Sequence, residues 1–195
     1  MIPRRYRGVS FDRPPVPSIN PMAVRMVRTY CEQIDQNLAG GRGMWLMGDV
    51  GTGKTTLAML ISKAAIESGH SVVIYSAPKL LARVRQTFDD APGEDSYLQL
   101  FSRLATVDLL HIDDLGAEKR SDWVTEQLYA LINERYEGSR PVLITSNTLA
   151  VDDGEIGRAL ARLEQELSPR TVSRLLEMCG GDPVPMFGND LRLAS

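Results

Sequence analysis

Hydrophobic positions along this chain change period repeatedly, and the changes predict the order of its elements. Short, almost wholly apolar runs stand at Met44-Trp45-Leu46-Met47, Val72-Val73-Ile74-Tyr75, Leu109-Leu110-His111-Ile112 and Val142-Leu143-Ile144-Thr145. Runs without polar alternation predict strands buried on both faces. Between them, apolar residues recur three and four apart. Leu57, Leu60, Ile61, Ala64 and Ala65 predict a helix over 54–68, closed by Gly69; Val124, Leu128, Leu131, Ile132 and Tyr136 predict another over 121–137. Pro21 in a first turn and the stripe Val24, Met26, Val27, Tyr30 and Ile34 predict a helix over 21–38, ended by Gly40-Gly41. Further helices are predicted over 78–88 and 96–105, split by residues 89–93, then over 154–166 and from Ser168-Pro169, an N-cap followed by proline. A short strand near Val184–Phe187 completes the series. Residues 1–20 contain Pro3, Pro14, Pro15 and Pro17 and no apolar period, which predicts an irregular arm ahead of a domain over 21–195. Alternating strands and helices predict an α/β fold with a parallel sheet flanked by helices.

Composition narrows the class. A chain of 195 residues with 43% hydrophobic and 24% charged residues has the profile of one globular domain. No apolar run approaches ~18 residues, so no membrane-spanning helix is expected. Met1-Ile2-Pro3-Arg4-Arg5 has no apolar signal core, and Cys31 and Cys179 lack metal or redox spacing. Reduced thiols and a cytoplasmic location are the expectation. The net charge of −3 gives no global attraction to nucleic acid. Locally the balance reverses: Arg4, Arg5, Arg7, Arg13, Arg25 and Arg28 face Asp12 alone within the first thirty residues.

Chemistry concentrates after the first strand. Gly48-Asp49-Val50-Gly51-Thr52-Gly53-Lys54-Thr55 matches G-x-x-x-x-G-K-[ST], followed by Thr56. A phosphate chain needs several backbone N–H groups converging on it, and side chains with a Cβ would obstruct that nest. The following helix points its positive end at the anion. Lys54 then serves the β- and γ-phosphates, and the Thr55 hydroxyl is a Mg²⁺ ligand. Two further groups lie at later strand ends. Asp113 and Asp114 follow Leu109–Ile112; the first suits a water-mediated Mg²⁺ ligand and the second the orientation of attacking water. Asn147 follows Val142–Ser146, at the sheet edge where parallel sheets bind ligands, and is placed to bond the γ-phosphate or the water. Alone, either would read as a loop or turn residue; following the phosphate motif, the functional reading is favoured.

Together these residues resemble the AAA+ ATPases, and more narrowly the DnaC-type helicase loaders and the related IstB transposition ATPases. The resemblance rests on Gly48–Thr56, on Leu109–Gly116 ending Asp-Asp-Leu-Gly, on Glu126–Tyr136, on Ile144–Asn147 and on Ser173–Cys179. It implies a P-loop core with a five-stranded parallel sheet, a small or absent C-terminal lid, and ATP and Mg²⁺ bound between subunits of a ring or spiral. It implies that Asp113 and Asp114 are the Walker B pair and Asn147 the first sensor. Arg174 matches the arginine that reaches a neighbour's γ-phosphate, with Arg170 as second choice. Such loaders also carry an N-terminal helicase-binding region, longer than the stretch before Gly43 here.

The resemblance implies a DNA replication protein whose partners are a replicative helicase, single-stranded DNA and copies of itself. The helices between the second and third strands carry Lys79, Arg83 and Arg85 with Phe88, and Arg103 further on. Basic groups can follow a phosphate backbone while an aromatic stacks a base; a solvated helix face is the plain alternative. His111, Trp45 and Trp123 read as packing residues. Three other functions remain open: a transposition-helper ATPase, a small nucleotide kinase, and a nucleotide-gated binding module with slow turnover.

Overall fold

The computed structural model describes residues 2–89, 97–118, 121–147 and 156–192. Five strands form one parallel sheet: β1 (Met44–Gly48), β2 (Val72–Ser76), β3 (Leu109–Leu115), β4 (Val142–Asn147) and β5 (Val184–Met186), in the order β2-β3-β4-β1-β5. All four pairings are parallel. The helices are α1 (Pro21–Glu32), α2 (Ile34–Ala39), α3 (Lys54–Glu67), α4 (Ala77–Asp89), α5 (Tyr97–Thr106), α6 (Asp122–Glu137), α7 (Ile156–Leu167) and α8 (Pro169–Met178). Every predicted strand is present. Residues 90–93 of the predicted connection, the helix starts at 96 and 154–155, and Thr148 lie outside the described residues. No helical lid follows β5 among the described residues.

Strand alternation divides the core in two. Met44, Leu46, Leu109, Leu143, Val184 and Met186 face α1, α2 and α3. Trp45, Met47, Leu110, Ile112, Val142 and Ile144 face α4 to α8. The apolar runs are thus covered on both sides, as an all-parallel sheet requires. Helix α3 is buried nearly all round, with Leu57, Ala58, Met59, Leu60 and Ile61 each 5% exposed or less. The sheet takes one side of it and α1 the other.

Two features differ from the pattern-based expectation. The single helix over 21–38 is two, broken at Gln33. There the Asn37 amide donates to the Tyr30 carbonyl at 3.2 Å, replacing a helix bond and turning the chain so that Ile34 and Leu38 join Val27 and Tyr30 in the core. Residues 2–20 contain two short 3₁₀ turns, and Val9, Val16 and Ile19 are buried against the α3 side. Lys63 of α3 donates to the Val9 carbonyl at 3.2 Å.

Arg135 on α6 is fully buried without a carboxylate partner. Its guanidinium donates to the carbonyls of Leu104 (2.7 Å), Ala105 (3.2 Å), Val107 (2.9 Å) and Pro141 (2.6 Å). One side chain therefore satisfies the end of α5 and the entries to β3 and β4. Burial pulls its pKa down to about 9, which leaves it charged at neutral pH. Arg135→Met leaves these carbonyls without their donor, and should cost about 3–5 kcal/mol. A melting temperature lowered by roughly 10 °C is the expected reading; an unchanged melt would show that the carbonyls find other donors.

Candidate functional site

The site forms where β1, β3 and β4 end. Gly48 closes β1 with its Cα against the Met186 carbonyl of β5, so any larger residue would collide with that backbone. The turn then runs to Gly53, and α3 begins at Lys54. Thr52 stabilises the turn by donating to the Asp49 carbonyl at 2.9 Å. Val50, 54% exposed, forms its tip, and Thr56 is half-buried in the first turn of α3.

Lys54 is only 5% exposed. Its ammonium donates to the Gly48 carbonyl at 3.0 Å and the Asp49 carbonyl at 2.5 Å. Burial lowers its pKa to about 8, against the opposing pull of Asp114, Asp49 and Asp113. A buried cation hydrogen-bonded to carbonyls is suited to gain an anionic ligand.

Asp113 and Asp114 occupy contrasting environments. Strict alternation would send them to opposite sheet faces. A register shift between Ile112 and Leu115, with Asp114 at φ 56°, breaks the alternation. Asp113 stays on the α3 face, where its Oδ1 accepts from Thr55 at 3.0 Å and Thr145 at 2.7 Å. Burial works to raise its pKa, but the His111 ring, Thr145 and Thr55 outweigh it and hold the carboxyl below its usual value. Asp114 receives the Asn147 amide at 3.3 Å, and its own N–H donates to Thr145 at 2.9 Å. Burial, then the Asp113 charge, raise its pKa, partly offset by Asn147 and Lys54. Of two adjacent acids, one is kept ionised and the other moved toward proton acceptance.

The Asp113 carboxylate and the Thr55 hydroxyl form a pair of hard oxygen donors beside the phosphate turn. That set fits Mg²⁺, which keeps most of its shell for water and phosphate oxygens. His111 contributes no ligand: its Nδ1 pairs with Ser62 at 2.9 Å inside the α3 core. Trp45 is core, with its Nε1 donating to Ser146 at 2.8 Å.

Arg174 sits elsewhere, on α8, stacked 4.8 Å from the Tyr129 ring and 5.5 Å from the Tyr136 ring, both on α6. The Tyr129 hydroxyl interacts with both Arg174 and Arg170, which lowers its pKa. Tyr136 donates to Glu177 at 2.9 Å. The charges that act on Lys54 include Arg192, which lowers its pKa.

The other basic candidates do not form one patch. Arg85 lies 4.8 Å over the Trp123 ring, and Phe88, 58% exposed, packs 5.1 Å from Tyr97 and 6.4 Å from Trp123. Tyr97 continues the cluster to Phe101. At ~100° per residue, Lys79 and Arg83 fall on a different side of α4 from Arg85 and Phe88. Arg103 is exposed on α5. Trp123, expected only to pack, is thus also the platform of a cation–π pair. Tyr97 and Phe101 carry no sequence signal beyond ordinary helix spacing, and Tyr129 and Tyr136 lie in the Glu126–Tyr136 stretch that carries the resemblance.

A separate cleft lies at the opposite ends of the strands. It has a volume of about 290 Å³ and is lined by His70, Asp108, Ser139 and Arg140. Its charges already pair, His70 with Asp35 at 2.7 Å and Asp108 with Arg140 at 3.4 Å.

The family model described as IstB-like ATP binding protein matches residues 23–172. The chain belongs to this family. Members of the IstB-like family bind ATP, and the P-loop described above lies within the matched span. The chain is 29% identical over 126 residues to the replicative helicase loader DnaC of Escherichia coli K12, covering 65% of this chain and 49% of that protein. It is 31% identical over 128 residues to the insertion sequence IS1162 putative ATP-binding protein of Pseudomonas fluorescens, covering 63% and 53%. The chain thus spans about half the length of these curated relatives. A crystal structure of the DnaC helicase loader superposes with a TM-score of 0.77 at 25% identity, covering 96% of this chain and all of that one. The replication initiator DnaA bound to AMPPCP and single-stranded DNA shares the fold, with a TM-score of 0.67 and 21% identity over 87% of this chain. The IstB-like chain therefore has the AAA+ P-loop fold.

With nucleotide phosphates on Lys54, its lowered pKa predicts pH-dependent binding. Polyphosphate stabilises the ammonium form, so affinity should hold below pH 8 and fall as pH rises through 8. Near pH 8.5, binding should take up a proton. Calorimetric titration in two buffers of different ionisation heat should give different apparent enthalpies; identical ones would show that Lys54 is already fully charged in the free protein.

Proposed function

We propose that this protein is a Mg²⁺-dependent ATPase that acts as a helicase loader in DNA replication. It works as a homo-oligomeric ring or spiral in the cytoplasm, shares ATP sites between subunits and engages single-stranded DNA. The observation that carries this reading is the split acid pair: Asp113 ionised against Thr55, and Asp114 raised toward proton acceptance and fixed by Asn147. A kinase would need an acceptor pocket there instead.

In this reading the P-loop amides and Lys54 bind the β- and γ-phosphates. Thr55 and Asp113 hold Mg²⁺, which neutralises phosphate charge when bound. Asp114 orients water and accepts its proton as the oxygen attacks the γ-phosphorus and ADP leaves. Asn147 keeps Asp114 aimed. Arg174 serves a neighbouring subunit's γ-phosphate, and the tyrosines of α6 hold its guanidinium in place. Arg85, Phe88 and Trp123 form the DNA-facing surface, with rings for bases and a cation for the backbone.

Similarity to the loader DnaC across nearly the whole chain supports a replicative helicase as client. The insertion-sequence relative supports a transposase as the second reading.

Asp114→Asn should lower turnover by about 10²–10⁴ while retaining ATP. Arg174→Ala should lose about 10³ or more in turnover and keep nucleotide affinity. Mixing the two variants should restore part of the activity, because a hybrid interface pairs an intact Asp114 with an intact Arg174. Absence of rescue would argue for a site contained in one subunit, and turnover that depends on nucleoside monophosphates would replace the ATPase reading with a kinase.

For DNA, Trp123→Ala and Phe88→Ala should each weaken single-stranded oligonucleotide binding by about 1–3 kcal/mol in fluorescence anisotropy. Unchanged binding in both variants would remove this surface from the reading.

A further inference from the structure

His111 is an uncommon residue for its place in the sheet. It lies within β3, in register with Ile74 of β2 and Leu143 of β4, and its side chain is fully buried. An imidazole enclosed among such neighbours is costly unless its ring atoms find partners. Nδ1 has one in the hydroxyl of Ser62 on α3, itself fully buried, at 2.9 Å. Nε2 has none within hydrogen-bond distance among the described residues. It faces Asp113, two residues on along the same side of the strand, with Asp113 Oδ1 at 3.9 Å.

That separation exceeds a hydrogen bond by about 1 Å and is too short to seat a water between the two atoms. Oδ1 already accepts from Thr55 at 3.0 Å and from Thr145 at 2.7 Å, so its lone pairs are occupied. The ring nitrogen therefore stands behind the carboxylate as a further polar neighbour. Its position also assigns the ring proton. A bare Nε2 would set a lone pair against a negative charge, whereas an Nε2–H sets a positive end against it. The Ser62 hydroxyl then donates to Nδ1 and locks that tautomer. Against the effect of burial, the ring acts with Thr145 and Thr55 to favour the ionised carboxylate.

We propose that His111 is a positioning residue for Asp113: with its proton on Nε2, fixed there by Ser62, it orients the carboxylate and thereby sets the affinity of the site for Mg²⁺. The proposal rests on the reading of Asp113 and Thr55 as the Mg²⁺ donors. Ser62 and His111 are both fully buried, so they act through Asp113 and not on the nucleotide.

The test uses the full chain. A fluorescent ATP analogue is titrated with Mg²⁺ and, separately, bound in EDTA. His111→Leu should raise the half-saturating Mg²⁺ about tenfold or more. Affinity in EDTA and the melting temperature should hold, because leucine suits Ile74 and Leu143, and Ser62 can turn its hydroxyl to the preceding helical turn. His111→Gln should recover most of the loss, since its amide nitrogen reaches the Nε2 position. His111→Asn, whose amide reaches only the Nδ1 position, should not. Ser62→Ala, which frees the tautomer, should raise the Mg²⁺ requirement severalfold. In the ¹⁵N-histidine spectrum of the metal-free protein at about pH 8, above the ordinary histidine range, the His111 proton should sit on Nε2, and its signal should move in Asp113→Asn.

Unchanged Mg²⁺ dependence in a folded His111→Leu would overturn the proposal. Rescue by Asn and not by Gln would do the same, since it would make His111 only a partner for Ser62. So would a proton on Nδ1 with Nε2 bare, a result that stands even where the leucine variant fails to fold. Asp113→Asn separates two failures. If it leaves the Mg²⁺ dependence unchanged, the reading of the metal donors fails and this proposal with it. If it raises the requirement while His111→Leu does not, this proposal alone fails.

Discussion

A parallel sheet covered on both faces leaves polar chemistry one outlet, the ends of its strands. Here the covering is nearly complete, with α1 to α3 on one side and α4 to α8 on the other. Polar side chains between the layers find partners there, as the Arg135 Nη atoms do in four carbonyls and His111 Nδ1 does in Ser62. The charged groups of the candidate site are displaced to the carboxyl ends of β1, β3 and β4. The adjacency of these strands in the order β3-β4-β1 brings Lys54, Asp113, Asp114 and Asn147 to one place, although nearly one hundred residues separate the first from the last.

Crowding of charge there creates the useful differences. Lys54 is buried with carbonyl partners and sits low in pKa. Asp113 is half-buried, and three neighbours favour its ionised form. Asp114 lies next to that negative charge and is pushed the other way. The register shift in β3 is what makes this possible, because it lets consecutive residues meet different partners, Thr55 for one and Asn147 for the other. Thr145 couples the two by donating to Asp113 and accepting from the Asp114 backbone. A local backbone irregularity thus gives two identical side chains different partners and opposite pKa directions.

The same principle organises the periphery. The two arginines considered for service to a neighbour, Arg170 and Arg174, share the Tyr129 hydroxyl, and Arg174 also lies by the Tyr136 ring. Arg85 rests on Trp123, and Arg192 on Asp190. In each case a long, flexible cation is given a preferred orientation by a ring or a carboxylate at the surface, where holding it costs little. The irregular first twenty residues contribute in another way: Ile19 packs against Gly53 and Tyr6 reaches the acids' field, so the arm is part of the site's surroundings.

The sequence by itself determined the strands, most helices and the phosphate turn. These are local: an apolar run, a period of three and four, or eight consecutive residues whose shape is set by their own glycines. Asp113 and Asn147 were legible for the same reason, since a polar residue ending a buried strand has one edge to occupy. Tertiary structure decided everything that depends on distance in space between residues distant in the chain. Nothing near Gln33 announces that Asn37 will take the Tyr30 carbonyl and break the helix. Alternation alone could not show that β3 shifts register at Asp114. Trp123 joins Arg85 and Phe88, Tyr129 meets Arg174, and Arg192 returns to the phosphate turn only because folded helices and strands set them side by side. Backbone preference is written in neighbouring residues; partnership between side chains is written in the packing that brings them together.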